Sequence, residues 1–195
     1  ELVSKLSNAT QRNARHTMFS HYLTTHQDLP LWVLVTKLTF GEITNFYKLI
    51  TPNIQEKILE DIHKEYTGEY KESITDPTST LIPVFSEILD VLVGYRNVCA
   101  HGDRLYNHRI IGPKKTIKKL TYYFVQTPKG SESSVYGVLI SLRLLLPRIS
   151  YKRIIDEVIN ELILLSESLP VIQFNQVLAK MELTLQWRQI LESLH

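Results

Sequence analysis

Residues 84–93 read VFSEILDVLV, and residues 95–107 read YRNVCAHGDRLYN. The first segment has the apolar spacing of a buried helix, so it predicts a long core helix. The second segment places arginine, asparagine, histidine, aspartate and tyrosine side chains on the same helix. Burying such polar groups in a core costs free energy of folding, so their presence indicates a role other than packing. We expect this central helix to begin within residues 79–83 and to end near Tyr106. Its polar end is the candidate functional site.

Helical patterns also dominate the rest of the chain. A mixed apolar stripe predicts one helix over residues 5–26, and Pro30 predicts the start of a buried helix whose strand alternative stays open. We interpret Phe40-Gly41 as the end of that helix and residues 67–80 as a loop. Further helices are predicted over 43–50, from Pro52 onward, over 134–146, over 151–165 and after Pro170.

These patterns predict an all-α fold, a bundle of about six or seven helices. We expect a single domain over residues 1–195, with an irregular insertion or a short hairpin around 115–134. Trp32 and Trp187 are expected in the core. Because the chain begins with Glu1 rather than Met, we also expect that an N-terminal piece is missing.

Composition narrows the class of protein. The chain has 195 residues, of which 44% are apolar and 22% charged, as is typical of a soluble globular protein. The net charge of +2 is too small to indicate nucleic-acid binding by itself. The single cysteine, Cys99, excludes an intramolecular disulfide, fits a reducing cytoplasm and is interpreted as a buried packing residue. No apolar run is long enough to cross a membrane.

The polar end of the central helix can be read by helical geometry. On a continuous helix, at about 100° per residue, four side chains share one face: Asn97, His101, Arg104 and His108. Arg96 lies roughly 140° away from His101, so one rigid helix does not point both side chains at the same atom. Either the long arginine side chain bends round the helix, or a second copy of the helix completes the site. The spacing thus makes a homodimer with a composite active site a natural companion of activity.

The residue types indicate a chemistry. Arginine presents a fixed fork of donors that matches phosphate oxygens, and histidine can give or take a proton near neutral pH. The segment offers no carboxylate cluster and no cysteine–histidine ligand set, so we predict no metal and no cofactor. His16, His21 and His26 are scattered around their helix and are not expected to bind metal. Histidine and arginine without a metal suit RNA cleavage by transesterification.

The segment also resembles a known family. Residues 96–101, RNVCAH, are similar to the R-x4–6-H motif of the HEPN superfamily. The extension through residues 104–107, RLYN, resembles the Abi-like branch, which is associated with bacterial abortive infection. The upstream segments 29–35 and 38–43, followed by Tyr47, are similar to that branch as well. The resemblance covers residues 21–107 well and the remainder loosely.

This resemblance implies an α-helical, HEPN-like fold and a metal-independent endoribonuclease. Carried over position by position, Arg96 and His101 take the catalytic positions and Asn97 the polar position after the arginine. Supporting roles are implied for Arg104, Tyr106 and Asn107. Gly102-Asp103 departs from the family pattern, and the Asp103 carboxylate is expected to pair with Arg96 or Arg104 and to repel phosphate.

The resemblance further implies an RNA substrate, a homodimer, and a role in phage defence or as a toxin neutralised by an antitoxin protein or a small RNA. Lysines in the insertion are a second candidate RNA-binding group, against the alternative of a solvated loop: Lys114, Lys115, Lys118 and Lys119. Two other interpretations of Arg96 and His101 stay open. One assigns them to a catalytically inactive module that binds RNA, nucleotide or a protein, and the other to the capped end of a purely structural helix.

Overall fold

The computed structural model describes residues 2–72, 78–110 and 134–194. All regular secondary structure in these ranges is helical, which confirms the predicted all-α class, but it consists of ten helices rather than six or seven. They are α1 Leu2–Asn13, α2 Thr17–Thr25, α3 Leu31–Val35, α4 Phe40–Leu49, α5 Pro52–Tyr70, α6 Thr78–His101, α7 Val135–Leu145, α8 Arg148–Ser168, α9 Val171–Lys180 and α10 Trp187–Glu192. The insertion or hairpin predicted around 115–134 lies, up to residue 133, outside the described residues.

The chain divides into two compact units, Glu1–Thr51 and Pro52–His195. Two compact units are compatible with one domain or with two, so the expected single domain over residues 1–195 stays a prediction. In the first unit, helices α1 to α4 surround a small apolar core in which α1 contacts α3 and α4, and α2 contacts α3. That core consists of Ala9, Phe19, Val33, Leu34 and Leu38.

The helix predicted over residues 5–26 is wrong in one respect, because the structure has two helices there. The Asn13 side chain turns back to donate to the carbonyl of Ala9 at 2.8 Å. His16 then adopts an extended backbone, with φ −69° and ψ 133°. This backbone cannot continue a helix, so α2 starts anew at Thr17.

Two further predictions in this unit are wrong. Phe40-Gly41 begins a helix instead of ending one, because Thr39 and Glu42 form a capping box in which each side chain accepts from the other residue's backbone N–H. Trp32 is not a core residue, since it is 60% exposed. The short helix α3 instead turns Val33 and Leu34 toward the core.

The second unit is built around α7. This helix contacts α5, α6 and α8, and α8 in turn contacts α9 and α10. Burial of α7 extends nearly all the way round, and it includes the polar side chains of Tyr136, Ser141 and Arg143. Trp187 is buried, as predicted. In the described part of the chain, no helix combines the length and apolarity needed to cross a membrane.

Candidate active site at the end of helix α6

Helix α6 carries the candidate site on its last two turns. The helix ends at His101, and Gly102 follows with a φ of +69°, a left-handed conformation that favours glycine. The N–H of Gly102 donates to the carbonyl of Cys99, and the N–H of Asp103 donates to the carbonyl of Val98. This pair of bonds is a Schellman motif, which satisfies carbonyls at the helix end. The predicted continuation of the helix to Tyr106 is therefore wrong.

The early helix end changes which residues share a face. Asn97 and His101 are both helical and four residues apart, so they lie on one side of α6. Arg104 and His108 lie beyond the helix end, so the predicted face of four side chains is reduced to two. Arg96 and His101 both belong to the helix, so the expected separation of roughly 140° around the helix axis applies to them.

Arg96, Asn97 and His101 are all exposed, although the apolar part of the same helix is buried. The guanidinium of Arg96 donates through Nη1 to Oδ1 of Asn97 at 3.2 Å. This contact holds the arginine beside the amide, on the surface of the helix. A phosphate approaching from solvent would meet the guanidinium donors without first crossing packed side chains.

The chain beyond Gly102 returns to the helix that it left. The hydroxyl of Tyr95 donates to the carbonyl of His108 at 2.6 Å, and the two rings meet edge to face at 5.1 Å. Burial raises the pKa of Tyr95 to about 12, so its hydroxyl keeps its proton at neutral pH. Gly94 gives room for Ile110, whose side chain occupies the space that a Cβ at Gly94 would need. The close approach at Gly94 is thus made by Ile110, a residue of the segment after α6.

An ion pair fixes the same segment from outside. Arg109 pairs with Glu182, which lies in the turn after α9. Between this anchor and Gly102, the candidate supporting residues are exposed: Arg104, Tyr106 and Asn107. The structure contains no ion pair between Asp103 and either Arg96 or Arg104, so the expected pairing is wrong.

Other site predictions have different outcomes. Cys99 is exposed, so its interpretation as a buried packing residue is wrong. The four candidate RNA-binding lysines, Lys114, Lys115, Lys118 and Lys119, lie outside the described residues. Within the described ranges, no group of three or more histidine, cysteine, aspartate or glutamate residues is placed to hold a metal ion.

A buried cation on α7 was missed by the sequence patterns. The guanidinium of Arg143 donates to Glu72 at 2.9 Å, to the hydroxyl of Tyr66 at 2.8 Å and to the carbonyl of Leu194 at 3.2 Å. It also lies over the ring of Tyr70, 4.5 Å from its centroid. Hydrogen bonding from Arg143 holds the pKa of Glu72 below its usual value. This network ties the end of α5, α7 and the end of the chain together, with Arg143 buried and Glu72 half exposed.

Comparison with known proteins gives one result. A family model described as Abi-like protein matches residues 1–107, which include both the first unit and the whole of α6. No curated protein and no solved structure matches the chain. The matched region ends at Asn107, the last residue of the polar segment at the end of α6.

Proposed function

Because the chain belongs to the Abi-like protein family, we propose that it is a metal-independent endoribonuclease of the HEPN type that acts in bacterial phage defence or as a toxin. The observation that carries the proposal is the position of Arg96 and His101. A core helix presents a phosphate-binding group and a proton-transfer group on its last two turns, and both are exposed. A basic side chain near a helix C-terminus also favours the helix dipole, so it is the arginine and histidine together that support the proposal.

The reaction would use the nucleophile that RNA itself supplies. The 2′-hydroxyl of a nucleotide attacks the adjacent phosphorus, and His101 accepts the hydroxyl proton as the new P–O2′ bond forms. Arg96 donates to the phosphate oxygens as negative charge develops on them. The P–O5′ bond then breaks, and the leaving oxygen takes a proton. The products are a 2′,3′-cyclic phosphate and a free 5′-hydroxyl.

A homodimer would reconcile this mechanism with the separation of the two side chains around α6. If two copies of α6 face each other, Arg96 of one copy and His101 of the other can address one phosphate. The histidine that accepted the 2′-hydroxyl proton then donates it to the leaving oxygen, so each site needs one arginine and one histidine. Asn97 would orient Arg96 through the hydrogen bond that joins them.

An alternative function is a catalytically inactive module that binds RNA, nucleotide or a protein through the same surface. The observation in its favour is Asp103, which is exposed next to the helix end and not neutralised by Arg96 or Arg104. A carboxylate beside the site repels phosphate, which disfavours catalysis on RNA and, among the three kinds of partner, favours a protein. An antitoxin protein or a small RNA remains the expected neutralising partner of an active form.

Expression in a bacterial host tests the proposal. Wild-type protein is expected to arrest growth and to leave RNA fragments that end in cyclic phosphate. His101→Ala should abolish both effects, whereas His16→Ala, which removes an exposed histidine from the first unit, should retain them. Equal arrest by wild type and His101→Ala, without cleaved RNA, would favour the inactive module.

A further inference from the structure

Four aromatic rings form a contiguous cluster on the first unit, between the end of α2 and α3. The ring of Tyr22 lies 5.8 Å from Trp32, at an interplanar angle of 90°. Tyr22 also lies 5.5 Å from His26, which in turn lies 5.9 Å from His21. We call these four residues the ring cluster: His21, Tyr22, His26 and Trp32.

The ring cluster is anchored to the core through Tyr22 and faces solvent through its other rings. Tyr22 packs against the apolar core of the first unit, so one side of the cluster is anchored. Trp32 is 60% exposed, and both histidines are exposed as well. An indole is among the largest apolar groups a chain can bury, so leaving one in water forfeits a large stabilisation. The edge-to-face contact from Tyr22 fixes the indole while most of its surface stays open.

The charge balance of the first unit favours an anionic partner over a cationic one. Residues 1–51 contain five lysine and arginine residues against three aspartate and glutamate residues. One of those acids, Glu42, is already paired with Arg12. The imidazole N–H groups of His21 and His26 add donors within the cluster itself.

We propose that the ring cluster is a stacking platform for bases of single-stranded RNA, with Trp32 as the main stacking residue. Every base has a π face, so such a platform accepts many sequences, and the excess of cationic side chains in the first unit suits the phosphates. This inference rests on the proposed RNA substrate and names a second place where that substrate is held. It concerns binding only, so it can be tested without any cleavage.

Binding is measured with a fluorescently labelled single-stranded RNA of twelve nucleotides and full-length His101→Ala protein, so that the RNA stays intact. Adding Trp32→Leu is expected to weaken binding roughly tenfold, the scale of one lost base stack. Adding Trp32→Phe should recover most of that loss, because it keeps a stacking face. Leu31→Ala is the matched control, since Leu31 is an exposed apolar neighbour on the same helix.

The two tryptophans supply a second readout. Trp187 is buried, so RNA should quench the emission of Trp32 in His101→Ala protein and leave the emission of the Trp32→Leu variant unchanged. Unchanged affinity in Trp32→Leu would overturn the platform. Equal losses in Leu31→Ala and Trp32→Phe would also overturn it, because they would indicate that general apolar contact and not base stacking holds the RNA. If RNA binding depends on Trp32 but wild-type protein cleaves nothing, the platform stands and the proposed nuclease activity fails.

Discussion

The hydroxyl of Tyr95 donates a 2.6 Å hydrogen bond to the carbonyl of His108, thirteen residues further along the chain. Everything between these two residues is the candidate site and its supporting segment. The bond therefore closes a loop whose first turn is the end of α6 and whose last residue is fastened back onto that helix. The position of Arg104, Tyr106 and Asn107 depends on this closure.

Tyr95→Phe removes only the donor of this bond. We expect the free energy of unfolding to fall by about 1 kcal/mol, the net worth of a typical hydrogen bond in a protein. Chemical denaturation measures the change. Tyr151→Phe is the matched control, because the buried Tyr151 hydroxyl has no hydrogen-bond partner among the described residues, and its removal should be neutral or stabilising. Equal losses in both variants would contradict the role of the Tyr95–His108 bond.

Gly102 is the point where α6 must stop. Its φ of +69° costs a residue with a Cβ about 1–2 kcal/mol, so Gly102→Ala should destabilise the protein by that amount, and Gly102→Asn by less. A Cβ there would meet no heavy atom within 4 Å, so the effect is conformational and not steric. Gly68→Ala, in an equally open position inside α5, should instead stabilise by roughly 0.5–1 kcal/mol. Stabilisation by both substitutions would refute the left-handed helix end.

Acid should weaken the Arg143–Glu72 network. The pKa of Glu72 is lowered in the folded protein, chiefly by hydrogen bonding from Arg143, so its stabilising contribution is full above the ordinary glutamate value of 4.5. That contribution is lost as the pH falls through the lowered folded-state pKa. Glu72→Gln should therefore make the decline of stability below pH 4.5 shallower, and Arg143→Met should have the same effect on the slope. Thermal unfolding at a series of pH values measures it, and a slope as steep as that of wild type in both variants would contradict this account.

Mixing two inactive variants tests the composite site. Arg96→Ala and His101→Ala should each be inactive alone. If the arginine and histidine of one site come from different copies, a mixed dimer keeps one intact site, and an equal mixture should recover about a quarter of wild-type activity after subunit exchange. No recovery, with mixed dimers demonstrated by mass, would place both groups of the site in one copy.

The main helices follow from periodicity because burial of one face leaves a regular trace in the sequence. Residues 151–165 predicted the centre of α8, and the spacing of Ile43, Phe46 and Tyr47 predicted α4. The start of α4 was also readable in principle, since Thr39-x-x-Glu42 is the pattern of a capping box. Gly41 pointed the other way, because a glycine after an apolar run is typical of a helix end.

The candidate site was only partly predictable. Arg96, Asn97 and His101 were predictable as polar groups at the end of an apolar helix. The polar residues after them continued the same pattern, so the helix end at Gly102 was not predicted. A glycine after a last histidine does indicate a helix end. The Arg143 network had no sequence signal, because its partners lie 51 to 77 residues away and meet only through packing.

The most direct test of the central claim is incubation of purified protein with RNA in excess chelator, followed by analysis of the product ends. We predict cleavage to 2′,3′-cyclic phosphate and 5′-hydroxyl ends. His101→Ala and Arg96→Ala should each lower the cleavage rate by roughly a hundredfold or more. Arg153→Ala, which removes an exposed arginine from α8, should cleave like wild type. Cleavage that persists in His101→Ala, or intact RNA after incubation with folded wild-type protein, would contradict the assignment of Arg96 and His101 as catalytic residues.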